Sequence, residues 1–216
     1  MDISITAPAF PPAPPATLKG VGFGRIFTDR MLAADFSPEK GWHDARIVPL
    51  SNISLHPACC VFHYGAEVFE GLKAYRTEDG GIQLFRPLDN GRRFWNSCER
   101  MGLPQLPPED FVEAVRTFVR EEAPWVPGEA NTSLYLRPFV FCTDVQLGVH
   151  GIRNASFYII ASPVGSYYPH GLAPVHIAIE REDVRAVRGG TGYAKCGGNY
   201  AAATRATVKA EKAGYD

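Results

Sequence analysis

The chain has 216 residues, of which 45% are hydrophobic and 21% are charged, a composition typical of globular proteins. Its 22 basic and 23 acidic side chains leave a formal charge of −1, which gives no reason to expect nucleic acid or an anionic membrane as the main partner. No stretch approaches the roughly 20 apolar residues of a membrane-spanning helix. The 5 cysteines lack CxxC spacing and the 6 histidines are scattered, so we predict no disulfide framework, no metal site and a reducing cytoplasm.

The beginning of the chain is rich in proline. Residues 1–19 carry an acid at position 2 and no basic residue before Lys19. We therefore expect a flexible proline-rich arm, and neither a secretory signal nor a transit peptide. Two short strand candidates follow at residues 20–30 and 42–50. We expect residues 20–162 to form a small N-terminal α+β domain.

A hairpin and two helices are predicted in the middle of the chain. A turn at residues 78–81 leads into a strand at 82–86. Pro87 then marks a helix start, with Asp89 as its N-cap and Gly102 as its end. A second helix begins near Pro108 and carries a core-facing stripe at helical spacing. The stripe consists of Phe111, Val112, Val115, Phe118 and Val119.

Two long apolar segments, Ser133–Cys142 and residues 156–163, are typical of central strands. Turn-forming residues at 163–172 predict a linker. Beyond it, the pattern predicts a strand at 175–180 and a helix at 199–213. Because strands and helices mix without a regular βαβ alternation, the expected fold class is α+β.

The segment GGTGYAKCGGNY at residues 189–200 is the most informative one, because glycines surround Lys195 and a helix follows. Three interpretations stay open from these residues alone. The lysine is simply solvated in a loop. Alternatively, the segment is a phosphate-binding loop, although Ala194 and Cys196 stand where that motif has a glycine and a hydroxyl. In the third interpretation, the lysine is desolvated and forms a Schiff base with a carbonyl cofactor.

Six blocks in the same order and spacing resemble those of the branched-chain amino acid aminotransferases, which are fold type IV enzymes that use pyridoxal phosphate. The lysine segment is one of them. The others are HYGAEVFEGLKAY at 63–75, LFRP at 84–87 followed by Asn90 and Arg93, SLYLRP at 133–138, LGV at 147–149 and PVGSYY at 163–168. The resemblance runs from about residue 20 to the end of the chain, and it favours the Schiff-base interpretation.

The resemblance implies pyridoxal 5'-phosphate as the cofactor and a complete small domain followed by the start of the large cofactor-binding domain. Lys195 would form the Schiff base and carry the proton in catalysis. Arg93 would bind the cofactor phosphate, Tyr200 its phenolic oxygen, and Arg185 would support the phosphate site. The substrate side would be lined by Tyr64, Tyr135, Arg137 and Tyr167, with Val149 reaching in from a partner subunit.

The implied reaction is a ping-pong transfer of the amino group of leucine, isoleucine or valine to 2-oxoglutarate, catalysed by a cytoplasmic homodimer. Taken by themselves, the tyrosines could be ordinary half-buried aromatics. Arg93 beside Arg92 could be a solvated basic pair on a helix. Arg137 lies in an apolar strand and needs an anionic partner, either a substrate carboxylate or a buried acid such as Glu70.

The chain ends shortly after the lysine segment, whereas the family continues through most of its large domain, including the acid that partners the pyridine nitrogen. We therefore expect a fragment of a longer protein, with apolar surface left exposed in the second domain. The alternatives are another fold type IV enzyme, such as a D-amino acid aminotransferase or an aminodeoxychorismate lyase, or a non-catalytic remnant that pairs with a full-length subunit.

Overall fold

The computed structural model describes residues 1–7, 10, 12–166 and 173–215. Its strands are β1 (Ser4–Ile5), β2 (Arg30–Ser37), β3 (Gly41–Pro49), β4 (Glu67–Phe69), β5 (Leu72–Arg76), β6 (Ile82–Leu84), β7 (Ser133–Cys142) and β8 (Ala155–Val164). Its helices are α1 (Val61–Tyr64), α2 (Pro87–Met101), α3 (Pro108–Glu121) and α4 (Gly197–Lys212), with a 3-10 turn at Ala123–Trp125.

The strands form one sheet in the order β1-β3-β2-β8-β7-β5-β6, and β4 also pairs with β7. All pairs are antiparallel except β1 with β3. The strands β7 and β8 lie side by side in the middle of the sheet and pair along their whole length, from Ser133 opposite Val164 to Cys142 opposite Ala155. Mixed strands and helices around this sheet confirm the α+β class.

On the side away from β8, strand β7 pairs with two short strands, β4 and β5. The break between these two strands lies at Glu70 and Gly71. The Glu70 N–H donates to the Pro138 carbonyl across 2.7 Å, so the strand pairing continues through the break. Alternate residues here face opposite sides of the sheet. Glu70 therefore points toward the helices, while Phe69 and Gly71 point to the other side.

The two faces of the sheet have different partners. Helices α2 and α3 cover one face, where Leu134, Leu136 and Val140 of β7 are buried in the main hydrophobic cluster. The alternate residues of β7 face the other side, where Phe139 and Phe141 each stack on Tyr158 of β8, with ring centroids 5.5 and 5.8 Å apart. Tyr135 and Arg137 belong to this second face, so β7 carries both core and candidate site residues.

Several predicted elements are confirmed. The central strands, the hairpin of β5 and β6, and the helices α2, α3 and α4 lie where the pattern placed them, within a few residues. Four members of the α3 stripe are fully buried or nearly so, and Val112 packs partly buried against them. The predicted end of α2 is also confirmed, because Gly102 adopts a left-handed backbone with φ of 66°.

Three predictions of local structure are wrong. No strand occupies residues 20–29, because Gly20 and Gly24 take positive φ values of 78° and 67° there; the strand begins at Arg30 instead. Residues 175–180 form no strand, since none of the strands in the described ranges lies beside them. Asp89 is not the N-cap of α2, because Arg86 takes that position and Asp89 lies in the first turn.

Two further expectations need correction. The arm is not free at its beginning, because Ser4–Ile5 pairs with β3 and the Met1 ammonium contacts Asp110 across 3.1 Å. Cys60 and Cys142 are joined in a disulfide, whereas Cys59, Cys98 and Cys196 are free and buried, as expected of small hydrophobes. Among the described residues, no helix is long and apolar enough to cross a membrane.

Candidate active site

The chain around Lys195 lies against β4 and α2. The Lys195 carbonyl accepts the Phe69 N–H, and the Lys195 N–H donates to the hydroxyl of Ser97, both across 3.0 Å. Its neighbours Ala194 and Cys196 are buried in the main hydrophobic cluster. Because neighbouring side chains in an extended segment point in opposite directions, the lysine side chain is directed away from this cluster.

The Lys195 amine lies beside two aromatic rings that pack against each other. Its Nζ is 4.7 Å from the centroid of the Phe69 ring and 5.3 Å from that of Tyr200. It donates to the Tyr200 hydroxyl across 2.8 Å. Tyr200 belongs to the first turn of α4, so the beginning of the helix brings this hydroxyl back to the lysine. The rings favour a cation, and the hydroxyl fixes its direction.

The glycine-rich loop before the lysine is fastened to α4 by Asn199. The buried Asn199 amide donates to the carbonyls of Thr191 and Ala194 across 2.9 and 2.6 Å, and its oxygen accepts the Thr191 hydroxyl across 3.0 Å. These bonds hold the loop in one conformation. The sequence analysis placed Asn199 at the start of a helix and missed this function. The structure shows it through the three hydrogen bonds of one buried amide.

Arg93 forms a two-point ion pair with Glu70, which is fully buried. Its Nε and Nη2 donate to the two carboxylate oxygens across 2.5 and 2.9 Å. Asn90 and the Gly71 N–H add bonds of 2.7 and 3.0 Å to the same carboxylate. The hydrogen bonds from Arg93 to Glu70 raise the pKa of the Arg93 guanidinium, which stays charged.

Arg137 does not use Glu70 as its partner, contrary to the suggestion drawn from its apolar strand. Its Nε and Nη2 donate to the Tyr135 hydroxyl across 3.2 and 2.9 Å. Its guanidinium carbon lies 4.7 Å from the centroid of Phe69. Lys195 and Arg137 therefore share contact with one phenyl ring, and two cationic groups border the same small region.

A further aromatic residue, Phe23, packs against this region and was missed by the sequence analysis. Its ring meets Tyr135 edge to face, with centroids 4.8 Å apart. The prediction of a strand over residues 20–30 obscured it. The available signal was an aromatic residue between Gly22 and Gly24, since glycines on both sides allow a loop to lay a large side chain over a neighbour.

Glu67 connects the sheet to the lysine segment. Its carboxylate accepts the N–H of Gly197, the first residue of α4. Burial raises the pKa of Glu67, and this effect outweighs the opposing influences of the Gly197 N–H and of the charge on Arg137. A carboxylate at the N-terminus of a helix is also favoured by the helix dipole.

The remaining predicted site residues are not in contact with Lys195 within the described part of the chain. The Tyr64 hydroxyl accepts the Gly148 N–H across 2.8 Å, and the adjacent Val149 is 87% exposed. Arg185 is exposed and forms no hydrogen bond or ion pair with any described residue. Tyr167 lies outside the described residues. The structure thus brings together Lys195, Tyr200, Tyr135 and Arg137 around Phe69, and it places Arg93 on Glu70, the residue that follows Phe69.

The described residues contain no group of three or more His, Cys, Asp or Glu placed to hold a metal ion. The hydroxyl of Tyr200 is the hydrogen-bond partner of the lysine amine, which is therefore not simply solvated in a loop. The cluster combines the Lys195 amine, the Arg137 guanidinium and several aromatic rings on one side of the sheet, while Arg93 binds Glu70 from the helix side.

Comparison with known proteins gives the cluster its context. No protein-family model matches the chain. The chain is 52% identical over 197 residues to branched-chain-amino-acid transaminase 1 of Bacillus subtilis (strain 168), a match that covers 91% of this chain and 55% of that protein. It is 44% identical over 212 residues to the branched-chain-amino-acid aminotransferase of Mycolicibacterium smegmatis, a match that covers 98% of this chain and 58% of that one. The chain thus spans little more than half the length of these curated relatives.

Solved structures agree with this result. The enzyme of the archaeon Thermoproteus uzoniensis, a branched-chain aminotransferase with norvaline, has a TM-score of 0.66 and 27% identity, covering 86% of this chain and 58% of that one. A T.th. branched-chain amino acid aminotransferase with pyridoxamine 5'-phosphate has a TM-score of 0.67 and 29% identity, covering 86% and 57%. The resemblance seen in the motifs is confirmed, and the fold is that of the fold type IV aminotransferases.

Proposed function

We propose that this chain carries the lysine-bearing part of a pyridoxal phosphate-dependent branched-chain aminotransferase, in which Lys195 is the catalytic residue. The observation that carries the proposal is the Lys195 amine held by the Tyr200 hydroxyl at 2.8 Å, at the start of a helix and beside two aromatic rings. The named relatives support branched-chain substrates over those of a D-amino acid aminotransferase or an aminodeoxychorismate lyase. The same proposal includes a small domain at residues 20–162, a linker at 163–172 and the start of a large domain at 173–216.

The residues present fit an aromatic aldehyde that carries a phosphate. The Lys195 amine is accessible, and the Tyr200 hydroxyl beside it could bond the phenolic oxygen of the cofactor. Arg93 uses Nε and Nη2 on Glu70, which leaves its Nη1 without a partner among the described residues. With a side chain 52% exposed, Arg93 has this edge available for a phosphate while Glu70 holds the other. Arg185 stays a prediction for the phosphate surroundings.

When bound, pyridoxal phosphate supplies the electron sink that stabilises negative charge at the substrate α-carbon. The chain supplies the groups that hold and move the proton. The Lys195 amine takes the α-proton as a base and returns it as an acid, while Tyr200 keeps the amine in place. Arg137 and Tyr135 orient the substrate carboxylate, and Phe69 beneath them excludes water.

Branched-chain amino acids and 2-oxoglutarate can both be accommodated by the residues around Arg137. The side chains of leucine, isoleucine and valine are aliphatic, and the rings of Phe69, Phe23 and Tyr135 offer apolar contact. The second carboxylate of 2-oxoglutarate needs a cation or a hydroxyl, which Arg137 and the substrate-facing tyrosines supply. Tyr64 and Tyr167 stay predictions for the substrate side.

We also propose a homodimer in the cytoplasm. Five exposed hydrophobic residues lie on α1 and on the loop after β7, and we call them the α1 patch. Its members are Phe62, Tyr64, Val145, Leu147 and Val149. The bond between Tyr64 and Gly148 joins the two segments into one surface, and a second copy of the chain would cover it. A Val149→Asp variant that sediments with unchanged mass would contradict this.

The test of the proposed function is trapping of the cofactor on the chain. The purified chain is incubated with pyridoxal phosphate, reduced with borohydride, digested and mapped by mass spectrometry. We expect one adduct per chain on Lys195 and none there in Lys195→Ala. Lys212→Ala is the matched control, since this lysine lies on the helix that follows and is exposed. Labelling spread evenly over surface lysines would contradict the assignment of Lys195.

A further inference from the structure

Three backbone groups around Lys195 are bonded to other elements of the fold. The lysine N–H donates to Ser97 of α2, the lysine carbonyl accepts the Phe69 N–H of β4, and the Gly197 N–H donates to Glu67 of β4. Two of these three partners are side chains, so each can be removed without changing the backbone of its own element.

The side-chain partners bond to two amides that lie on either side of the lysine carbonyl. The position of a lysine amine depends on its backbone, because four rotatable bonds separate the two. Glycines precede the lysine at 189, 190 and 192 and follow it at 197 and 198, so the segment has little conformational restriction of its own. Asn199 restrains the loop before the lysine, and Ser97, which is 1% exposed, and Glu67 are placed to restrain the backbone at the lysine and after it.

The approach of Glu67 also explains the glycine at 197. A β-carbon built there would overlap the Glu67 carboxylate, so a larger residue at 197 would push this carboxylate away from its present position. A half-buried carboxylate loses hydration, and a hydrogen bond from a helix N-terminal amide is one of the stronger ways to compensate. The pairing thus gives a structural reason for the glutamate at 67 and for the glycine at 197, neither of which the cofactor chemistry explains.

We infer that Glu67 and Ser97 are positioning residues for Lys195: they fix the backbone on both sides of the lysine and so hold its amine against Tyr200 and Phe69. This inference rests on the proposed function for its catalytic meaning. It differs from a role in helix capping alone, because a simple cap would stabilise α4 without setting where the amine lies.

The first experiment needs no cofactor. Hydrogen exchange is measured on peptides that cover residues 193–198 in Glu67→Ala, Glu67→Gln and Ser97→Ala. We expect about tenfold faster exchange in the two alanine variants, because each loses the acceptor of one backbone amide in this segment. Glu67→Gln keeps an acceptor oxygen and should restore protection. Glu99→Gln is the matched control, since Glu99 is exposed on α2.

The second experiment follows the amine itself. Acetic anhydride labelling at fixed pH gives the ratio of Lys195 to Lys212 modification, again without cofactor. Because the hydrogen bond to Tyr200 lowers the reactivity of the Lys195 amine, the ratio should rise severalfold in Glu67→Ala and Ser97→Ala and stay near wild type in Glu67→Gln. The borohydride trapping rate on Lys195 should fall in the same two alanine variants.

The outcomes separate this inference from the proposed function. Faster exchange and a higher labelling ratio support the positioning role even if the wild-type chain traps no cofactor, in which case the proposed function alone fails. Exchange or a labelling ratio that stays at the wild-type value in both alanine variants overturns the positioning role, even if cofactor is trapped normally.

Discussion

Arg93 covers Glu70 and binds both of its carboxylate oxygens, while no part of the glutamate reaches solvent. Arg93 lies on α2 and Glu70 lies in the break between β4 and β5, so the pair joins a helix to the sheet directly beneath the lysine cluster. The pair also fixes the direction of the guanidinium, whose remaining edge is available for an anion. Glu70 thus serves Arg93 rather than Arg137.

Arg93→Ala should destabilise the chain, because it leaves a buried carboxylate without its cation. We expect a loss of about 2 kcal/mol in the free energy of unfolding, below the value for fully buried pairs because Arg93 is half exposed. Urea denaturation measures it. Adding Glu70→Gln to Arg93→Ala should recover part of the loss, and Arg92→Ala should stay near wild type. Equal losses in the two arginine variants would contradict the role of Glu70.

Gly71→Ala should disturb the substrate side of the cluster, because a β-carbon at this position would overlap the Tyr135 hydroxyl. Displacing that hydroxyl also removes the partner of Arg137. We expect a loss of about 1–3 kcal/mol in stability, measured by urea denaturation. Tyr135→Phe in the Gly71→Ala background removes the closest atom and should return part of the loss. Gly151→Ala, with open space around it, is the control.

Tyr200→Phe tests the hydroxyl that holds the lysine amine. The substitution keeps the ring that packs on Phe69 at 5.0 Å but removes the acceptor of the Lys195 hydrogen bond. We expect the borohydride trapping rate on Lys195 to fall about tenfold, the equivalent of one lost hydrogen bond. Tyr193→Phe, at an exposed tyrosine in the same loop, should trap at the wild-type rate. An unchanged rate in Tyr200→Phe would remove Tyr200 from the proposed site.

Asp144 organises the loop that carries Val149. Burial alone would raise the pKa of Asp144, but hydrogen bonds from Arg153, Asn154 and His150 lower it below the ordinary 3.8. A carboxyl with a lowered pKa stabilises the fold above its unfolded pKa of about 3.9, and the contribution is lost as the pH falls. Asp144→Asn should therefore lower the free energy of unfolding by about 2 kcal/mol at pH 7, and by less as the pH drops from about 5 toward 3. A loss that is the same at pH 7 and pH 3, measured by urea denaturation, would contradict this.

Cys98 should resist thiol reagents in the folded chain. Burial raises the pKa of its thiol from 9.0 to about 12, so almost no thiolate forms at pH 8. The neutral thiol stabilises the fold below the unfolded pKa of about 9, and this contribution is lost as the pH rises toward about 12. Iodoacetamide mapping at pH 8 should show no Cys98 alkylation until urea unfolds the chain. Rapid alkylation of native Cys98 would show that α2 opens.

Local structure was largely readable from the pattern of residues. Alternating and continuous apolar runs predicted the central strands, and the spacing of Phe111, Val115 and Phe118 predicted the buried face of α3. The failures were at residues 20–30 and 175–180. A strand exists only where a neighbour accepts and donates its backbone hydrogen bonds, and that neighbour is not encoded in the segment itself.

The sequence by itself determined the α+β class, the family resemblance and the central place of Lys195, because motif order and apolar periodicity are properties of the chain in one dimension. Only the tertiary structure decided which side chains meet. It paired Glu70 with Arg93 and made the Tyr135 hydroxyl the partner of Arg137. It also brought the side chains of Glu67 and Ser97 into hydrogen bonds with the backbone of the lysine segment. These partners lie on different strands and helices, and the register of the sheet and the packing of α2 against it set the distances between them.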